Sequence, residues 1–334
     1  MPRVRDAAAA LVTSAPSRFA LRMLEAADRG RTDRCLVLTY HRIDHEAARP
    51  HLWPGLLSAT PDEFGHHMEF VARRMRPLTM AELLTGIREG HFPRRSVLIT
   101  IDDAYLDVAE HAWPTLRRLE VPATLFVPTS FIDTGSGFWW DRLYHAIRAT
   151  HRSTLPWRGS TLSLADRHER ETARARTHAE TREALHADAM RFVAELEAAA
   201  EVHPPPRGVL EWSAIATMSA DGLELGAHTR THPRLDRVDR ATAVEEIRGS
   251  MDDLLARIGP AVRPVLAYPS GDHGSPAIAA AREAGVEAAF TTRRGAIDMR
   301  GLDPLRLGRV NVGRRSTVDV LRVQAGSWMR MIGR

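Results

Sequence analysis

Two neighbouring carboxylates, Asp102 and Asp103, stand directly after the apolar run SVLITI (96–101). Two imidazoles four residues apart, His228 and His232, follow LELGA in the segment HTRTHP, and His41 follows CLVLTY in the segment YHRI. Each polar group begins where an apolar stretch ends. Packing does not explain such an ending. Adjacent carboxylates repel each other and are costly to desolvate without a cation or hydrogen-bond donors. Two neutral imidazoles and one carboxylate form a donor set for a divalent metal that leaves coordination positions open. An ion held in this way polarises a carbonyl and lowers the pKa of bound water from ~15.7 towards ~7. Successive side chains diverge, so the second aspartate does not easily reach the same ion. Placed beside the water as a general base, it contributes ~10²–10⁴ in rate. Amide hydrolysis also needs a proton donor for the leaving nitrogen, and His41 is the candidate. The combination carries this reading, not any single pair. With sixteen histidines in the chain, a pair at i,i+4 is unsurprising, and His41/His45 is a second one. Asp252-Asp253 repeats the double carboxylate inside a helical pattern, where it reads as a solvated face.

The elements that must position these groups alternate in type. Buried strands are expected at 35–40, 96–101, 123–128, 223–228, 265–269, around AAFTT (288–292) and at 305–312. Helices are expected at 61–75, 105–119, 212–220, 242–258 and 276–284, with a last one over 318–329. Strand then helix, repeated about seven times, argues for parallel strands joined by crossover helices. The strands are apolar on both faces, as parallel sheets require. A barrel or partial barrel is the preferred fold, with its chemistry at the C-terminal strand ends. Residues 137–208 break the rhythm. They are rich in Ala, Arg, Glu and His, show no strand signal, contain one or two helices over 162–201, and leave through the stiff linker HPPPRG. They read as a helical insertion on a barrel spanning 35–330, with 1–34 as an N-terminal helical extension.

Composition sets the outer limits. The chain has 334 residues, 44% hydrophobic and 26% charged, which excludes wholesale disorder. Its single cysteine, Cys35, excludes a disulfide framework and a cysteine-rich zinc module. No uncharged apolar run approaches the ~18 residues of a membrane span. The start, MPRVRDAAAALVTS, is too short in its apolar part for a convincing secretory signal, so a cytoplasmic location is the expectation. Phe19, Leu21, Met23 and Leu24 are placed to form one face of a short helix that packs on the body, with membrane contact not expected. All 46 basic residues are arginine, and the net charge is +4. With acids interleaved along the chain, the surface reads as mixed and solvated, and no nucleic-acid partner is expected.

The motifs resemble those of the polysaccharide deacetylase family, with its NodB homology domain. TIDDAY (100–105), HTRTHP (228–233) and AYPSG (267–271) match the family's TFDDG, H-[ST]-x-x-H-P and RxPYG in order, and the resemblance runs from about Cys35 to Val312. It implies a distorted (β/α)7 barrel and metal-dependent removal of N- or O-acetyl groups from a glycan or amino sugar. Asp102 then corresponds to the catalytic base, and Asp103, His228 and His232 to the ligands of one divalent metal, zinc first, with cobalt or nickel also suited. Ser270 corresponds to the motif tyrosine whose backbone N–H helps hold the oxyanion.

Three departures matter. Ala104 replaces the glycine after the aspartates, a mild change if its φ is negative. Ala267 replaces the arginine that steadies the base, and Arg309 in LGRVNV is the candidate substitute from another strand. The family's C-terminal Leu-x-Leu-x-His is not visible. The YHR segment instead resembles the subgroup of poly-N-acetylglucosamine deacetylases, where His41 inherits the acid role. FWWDRLYHAI (138–147) resembles the same branch. Trp139, Tyr105 and Tyr268 are expected to contact the sugar, with Trp139 and Trp140 alternatively anchoring the insertion. The competing functional reading is a glycan-binding module that has kept the barrel and lost turnover. Oligomeric state is not legible.

Overall fold

The structure is a computed structural model and describes residues 31–325. The N-terminal helix expected over the first residues and the end of the last helix lie outside that range. Seven strands form the barrel: β1 (Arg34–Tyr40), β2 (Ser96–Asp102), β3 (Thr124–Val127), β4 (Glu224–Ala227), β5 (Val262–Ala267), β6 (Ala288–Arg294) and β7 (Leu307–Asn311). Every pairing between barrel neighbours is parallel, and β1 closes the ring by pairing with both β2 and β7. The fold is therefore a closed (β/α)7 barrel.

Side chains alternate between the two faces of a strand. Leu36, Leu38 and Tyr40 of β1 face the outer helices. They pack in the cluster of Phe64, Met68 and Val71 from α1 (Pro61–Arg74). Cys35 and Val37 face the lumen with Leu98, Phe126, Val265, Phe290 and Leu307. Gly226 is needed there, because a Cβ on it would stand 2.6 Å from the Phe126 ring and 2.8 Å from Val265. Helix α2 (Met80–Glu89) closes the end where the strands begin. Its first N–H groups, on Met80 and Ala81, donate to the carboxylate of Glu224, the first residue of β4. The opposite end carries the polar residues. Thr39 and Thr100 hydrogen-bond across β1 and β2 at 3.0 Å, and two residues further on, the same face presents His41 and Asp102.

The helices expected from the sequence keep their boundaries with one exception, and α2 is not among those expected. Over 105–119 the chain makes a turn, a π-helical segment at Val108–Ala112, and α3 (Trp113–Arg118). Pro114 has no N–H for the carbonyl of Glu110, so an α-pattern cannot run through. Helix α4 (Thr129–Thr134) follows β3. The stretch 137–208 contains α5 (Trp139–Ala149), α6 (Arg167–Glu183) and α7 (His186–Ala200), with their own apolar cluster around Leu143, Trp157, Phe192 and Leu196. It also contains an antiparallel hairpin, Thr154–Trp157 with Ser160–Ser163, which the sequence reading lacks. Its turn is Arg158-Gly159, both at positive φ (46° and 75°), the two-residue geometry that suits a hairpin. The remaining helices are α8 (Trp212–Ala220), α9 (Arg240–Arg257), α10 (Ser275–Glu283) and α11 (Val318–Ala325). No described helix is long and apolar enough to cross a membrane.

Candidate metal centre

The C-terminal strand ends bring Asp102, Asp103, His228, His232, His41 and Arg309 together. Asp103 Oδ1 lies 3.4 Å from His228 Nε2 and 3.6 Å from His232 Nε2. All three residues are buried, and their donor atoms lie within 4.8 Å of one another. Among the described residues, Asp103 Oδ1 accepts no hydrogen bond. A buried carboxylate oxygen without a partner is costly. Donors bound at about 2.1 Å around a tetrahedral ion stand about 3.4 Å apart, close to the two observed separations. The donor set and its spacing therefore fit a divalent metal.

The neighbours prepare these ligands. His228 Nδ1 donates to the Ala267 carbonyl at 2.7 Å, which leaves Nε2 as the lone-pair nitrogen facing Asp103. His232 packs edge-on against Trp140 at 5.1 Å and Phe138 at 5.7 Å. Burial pushes His232 down to about 3, so its imidazole is neutral. Burial also pulls on His228, but the carboxylates of Asp103 and Asp102 outweigh it and raise its pKa. For Asp103 burial acts upward, and the three surrounding imidazoles outweigh it and bring it down to about 2.

Asp102 is placed differently. Arg309 donates to both of its oxygens at 2.8 Å, NH1 to Oδ1 and NH2 to Oδ2, and both residues are almost fully buried. Arg309 Nε is anchored on the Thr291 carbonyl. Burial pushes the Asp102 carboxyl up, but Arg309, His228 and His41 outweigh it and hold it below the usual carboxylate range. His41 Nε2 stands 3.9 Å from Asp102 Oδ2, with its side chain 22% exposed.

The loops carry strain at this mouth. Asp103, Ala104, Thr229, His232 and Ser270 all have φ between 53° and 73°. Non-glycine residues rarely adopt that region, and such residues cluster at functional sites. Ala104 is therefore not the mild change expected from a negative φ. Surrounding bonds hold the strained loops. Leu106 N donates to Gly208 O, and Leu210 N to Ala104 O, so the exit of the insertion clasps the aspartate loop. Glu246 of α9 accepts from the backbone N–H groups of Arg230 and Thr231. Asp253 takes Arg230 in a bidentate pair and the Thr129 hydroxyl, so it is a clamp on the histidine loop and not a solvated residue. Its neighbour Asp252 is exposed. At Ser270 the turn's hydrogen bonds run from Gly271 to Tyr268 and from Asp272 to Pro269, leaving the Ser270 N–H outside them.

Two expected sugar contacts are core residues instead. The Tyr268 hydroxyl donates to Leu305 O, and its ring is buried among Ala277, Ile278 and Ala281 of α10. Tyr105 is buried, donates to Asp141 Oδ2 at 2.7 Å and accepts from Trp140 Nε1 at 2.9 Å. Trp139 is half-buried against Trp140 and His178 of α6, and it lines a cavity of about 30 Å³ with His232 and Ser270. Asp141 was absent from the sequence reading. It joins Tyr105 to the backbone N–H of Trp53 and so ties the floor of the site to the loop before α1. Its only sequence signal is its place in FWWDRLYHAI, directly after the two tryptophans.

A family model described as polysaccharide deacetylase matches residues 89–289. The chain belongs to this family. The matched span holds Asp102, Asp103, His228, His232 and Ser270, and leaves out His41 and Arg309. A poly-beta-1,6-N-acetyl-D-glucosamine N-deacetylase of Staphylococcus epidermidis is 34% identical over 78 residues, 23% of this chain and 27% of that protein. One from Staphylococcus aureus is 40% identical over 55 residues, 16% and 19% of the two chains. The alignments thus span about a quarter or less of the curated relatives. Among solved structures, the Streptococcus pyogenes deacetylase PplD in complex with acetate superposes with a TM-score of 0.60 at 17% identity, covering 88% of this chain and 99% of that one. IcaB from Ammonifex degensii gives 0.56 at 20%, covering 88% and 98%. These two show a shared fold.

Proposed function

We propose that this chain is a hydrolase that removes acetyl groups, N-acetyl first, from a glycan or amino-sugar substrate, with zinc as its metal. The observation that carries the reading is the buried Asp103–His228–His232 triad beside a second carboxylate that Arg309 grips with two hydrogen bonds. The names of the curated relatives support an N-acetylglucosamine polymer as substrate. A bound divalent ion supplies Lewis acidity to the acetyl carbonyl and acidity to the attacking water.

The chain's own residues do the rest. Asp102 is held ionised, so it is in the accepting form, and each oxygen keeps a lone pair beyond its bond to Arg309. It takes the proton of the attacking water. His41, close to Asp102 and reachable from solvent, donates a proton to the departing amine. The Ser270 N–H is a donor for the developing oxyanion, an interaction commonly worth ~10²–10³ in rate. Arg309 acts through Asp102, in place of the motif arginine whose position Ala267 occupies. Water and amide give acetate and free amine.

The test pairs metal analysis of the purified protein with acetate release from N-acetylglucosamine oligomers. Asp103→Ala should lose both metal and turnover. Asp102→Asn should keep the metal and lose nearly all turnover, and full activity in that variant would end the base assignment. Glycan binding and metal without acetate release would identify a binding module.

A further inference from the structure

A groove of about 1530 Å³ runs from Arg309 outward between the insertion and the ends of β6 and β7. Its lining holds eight arginines against three carboxylates, an excess of five, while the whole chain has a net charge of only +4. The positive charge is therefore gathered in one concave surface and not spread evenly, as the interleaved sequence suggests. Concave walls of low dielectric focus such a field.

Arg315 has a partner of its own, and the other seven arginines fall into two groups. Some are committed: Arg309 to Asp102, Arg174 to Glu171, Arg314 to Glu46, and Arg170 to the carbonyls of Ile147 and Thr150. Arg148, Arg167 and Arg294 are exposed, and none has an ion pair with an acidic residue among the described residues. They come from three separate elements, α5, the first turn of α6, and β6, and all line the groove. Guanidinium forks match carboxylate and phosphate oxygens. The two aromatic rings of the groove each carry an arginine on one face. Arg174 lies over Trp53 at 5.5 Å, and Arg148 over Tyr144 at 5.9 Å. Two such rings do not make the run of open faces on which successive bases of single-stranded nucleic acid stack.

We propose that this groove binds an anionic glycan strand, with its phosphate or carboxylate groups taken by Arg148, Arg167 and Arg294 and an acetylated sugar lying at the Arg309 end. Placing that sugar rests on the deacetylase reading; the anion subsite does not.

Calorimetric titration of the full chain separates the two. The probes are chitohexaose, its 6-phosphorylated form, a hyaluronan hexasaccharide and an oligothymidylate of matching charge. At low salt the two anionic sugars should bind about tenfold or more tighter than chitohexaose, as three exposed charge pairs together would give. The preference should fade with salt and disappear in the triple variant R148Q/R167Q/R294Q, whose urea midpoint should match wild type. Preference for one anionic sugar over the other tells phosphate from carboxylate. Equal affinity for neutral and anionic sugars, or a triple variant that keeps the preference, overturns the proposal. So does oligothymidylate binding as tightly as the anionic sugars. Acetate release is read on the same probes. Anion preference without acetate keeps the groove and removes the deacetylase; acetate from chitohexaose without anion preference does the reverse.

Discussion

Replacing Arg309 with glutamine tests the link between the electrostatics of the barrel mouth and its chemistry. Arg309 and Asp102 are 1% and 2% exposed, and the guanidinium makes both of the carboxylate's charged contacts at 2.8 Å. Removing one partner of such a pair leaves a buried charge without compensation, at a cost of roughly 3–5 kcal/mol. For a chain of this size that is roughly 4–7 °C in Tm. Asp102→Asn should cost a similar amount, because it strands the guanidinium instead. The double variant removes both charges and leaves two amides that can bond each other. It should recover at least half of the summed loss, a coupling that two independent contacts would not show. Urea unfolding measures all four proteins, and the midpoint is the informative quantity provided the slope is unchanged. Acetate release, measured well below each variant's Tm, should fall ~10²–10⁴ in both single variants. It should stay down in the double variant, since stability returns without the base. An Arg309→Gln protein that unfolds at the wild-type urea concentration, or a double variant whose losses simply add, would refute the reasoning.

Three further outcomes follow from the same geometry. Ala104→Gly relieves a φ of 53° and should raise stability by up to ~1 kcal/mol, read from the urea midpoint; a loss would show that the loop is not strained there. Burial pushes Asp141 from its ordinary 3.8 up to about 7, against the hydrogen bonds from Tyr105 and Trp53. Its contribution is therefore full below pH ~4 and is lost as pH rises through about 7, so the deficit of Asp141→Asn should shrink by up to about 4 kcal/mol between acidic and mildly alkaline pH; a deficit independent of pH would refute the shift. Zinc at a thousand times its Kd should stabilise the protein by about 4 kcal/mol, a chelator should reverse this, and Asp103→Ala should show neither effect in a thermal melt.

The barrel and the triad were legible in one dimension because the signals are local. SVLITI and CLVLTY are apolar on both faces, and a parallel strand needs that wherever it sits. Asp102, His228 and His41 mark the strand ends, since polar residues begin where each apolar run stops, even though Asp102 and His228 stay buried at the barrel mouth. The role sketched for Arg309 depended on knowing which strand neighbours which. Only the closed order, with β7 beside β1 and β1 beside β2, sets its guanidinium against Asp102. The hairpin at 154–163 was hidden because its signal is a two-residue turn within a polar, alanine-rich segment. Tyr268 and Tyr105 misled for the converse reason. Nearness in sequence to a motif does not set the direction of a side chain, and both rings turn into the core.

Residue chemistry and strand periodicity were enough to name a candidate Asp-His-His metal group and the barrel end that carries it. They were silent on how charge is distributed. Arginines interleaved with acids along the chain look balanced, yet folding pairs most of them and sets eight, against three carboxylates, along one groove. Asp141, a carboxylate with no motif to announce it, becomes a buried tie between Tyr105 and the loop at Trp53. Periodicity reports which side of an element is apolar, a property of a few consecutive residues. Coulombic and hydrogen-bond partners lie tens to hundreds of positions apart, and nothing short of the folded chain fixes which of them meet.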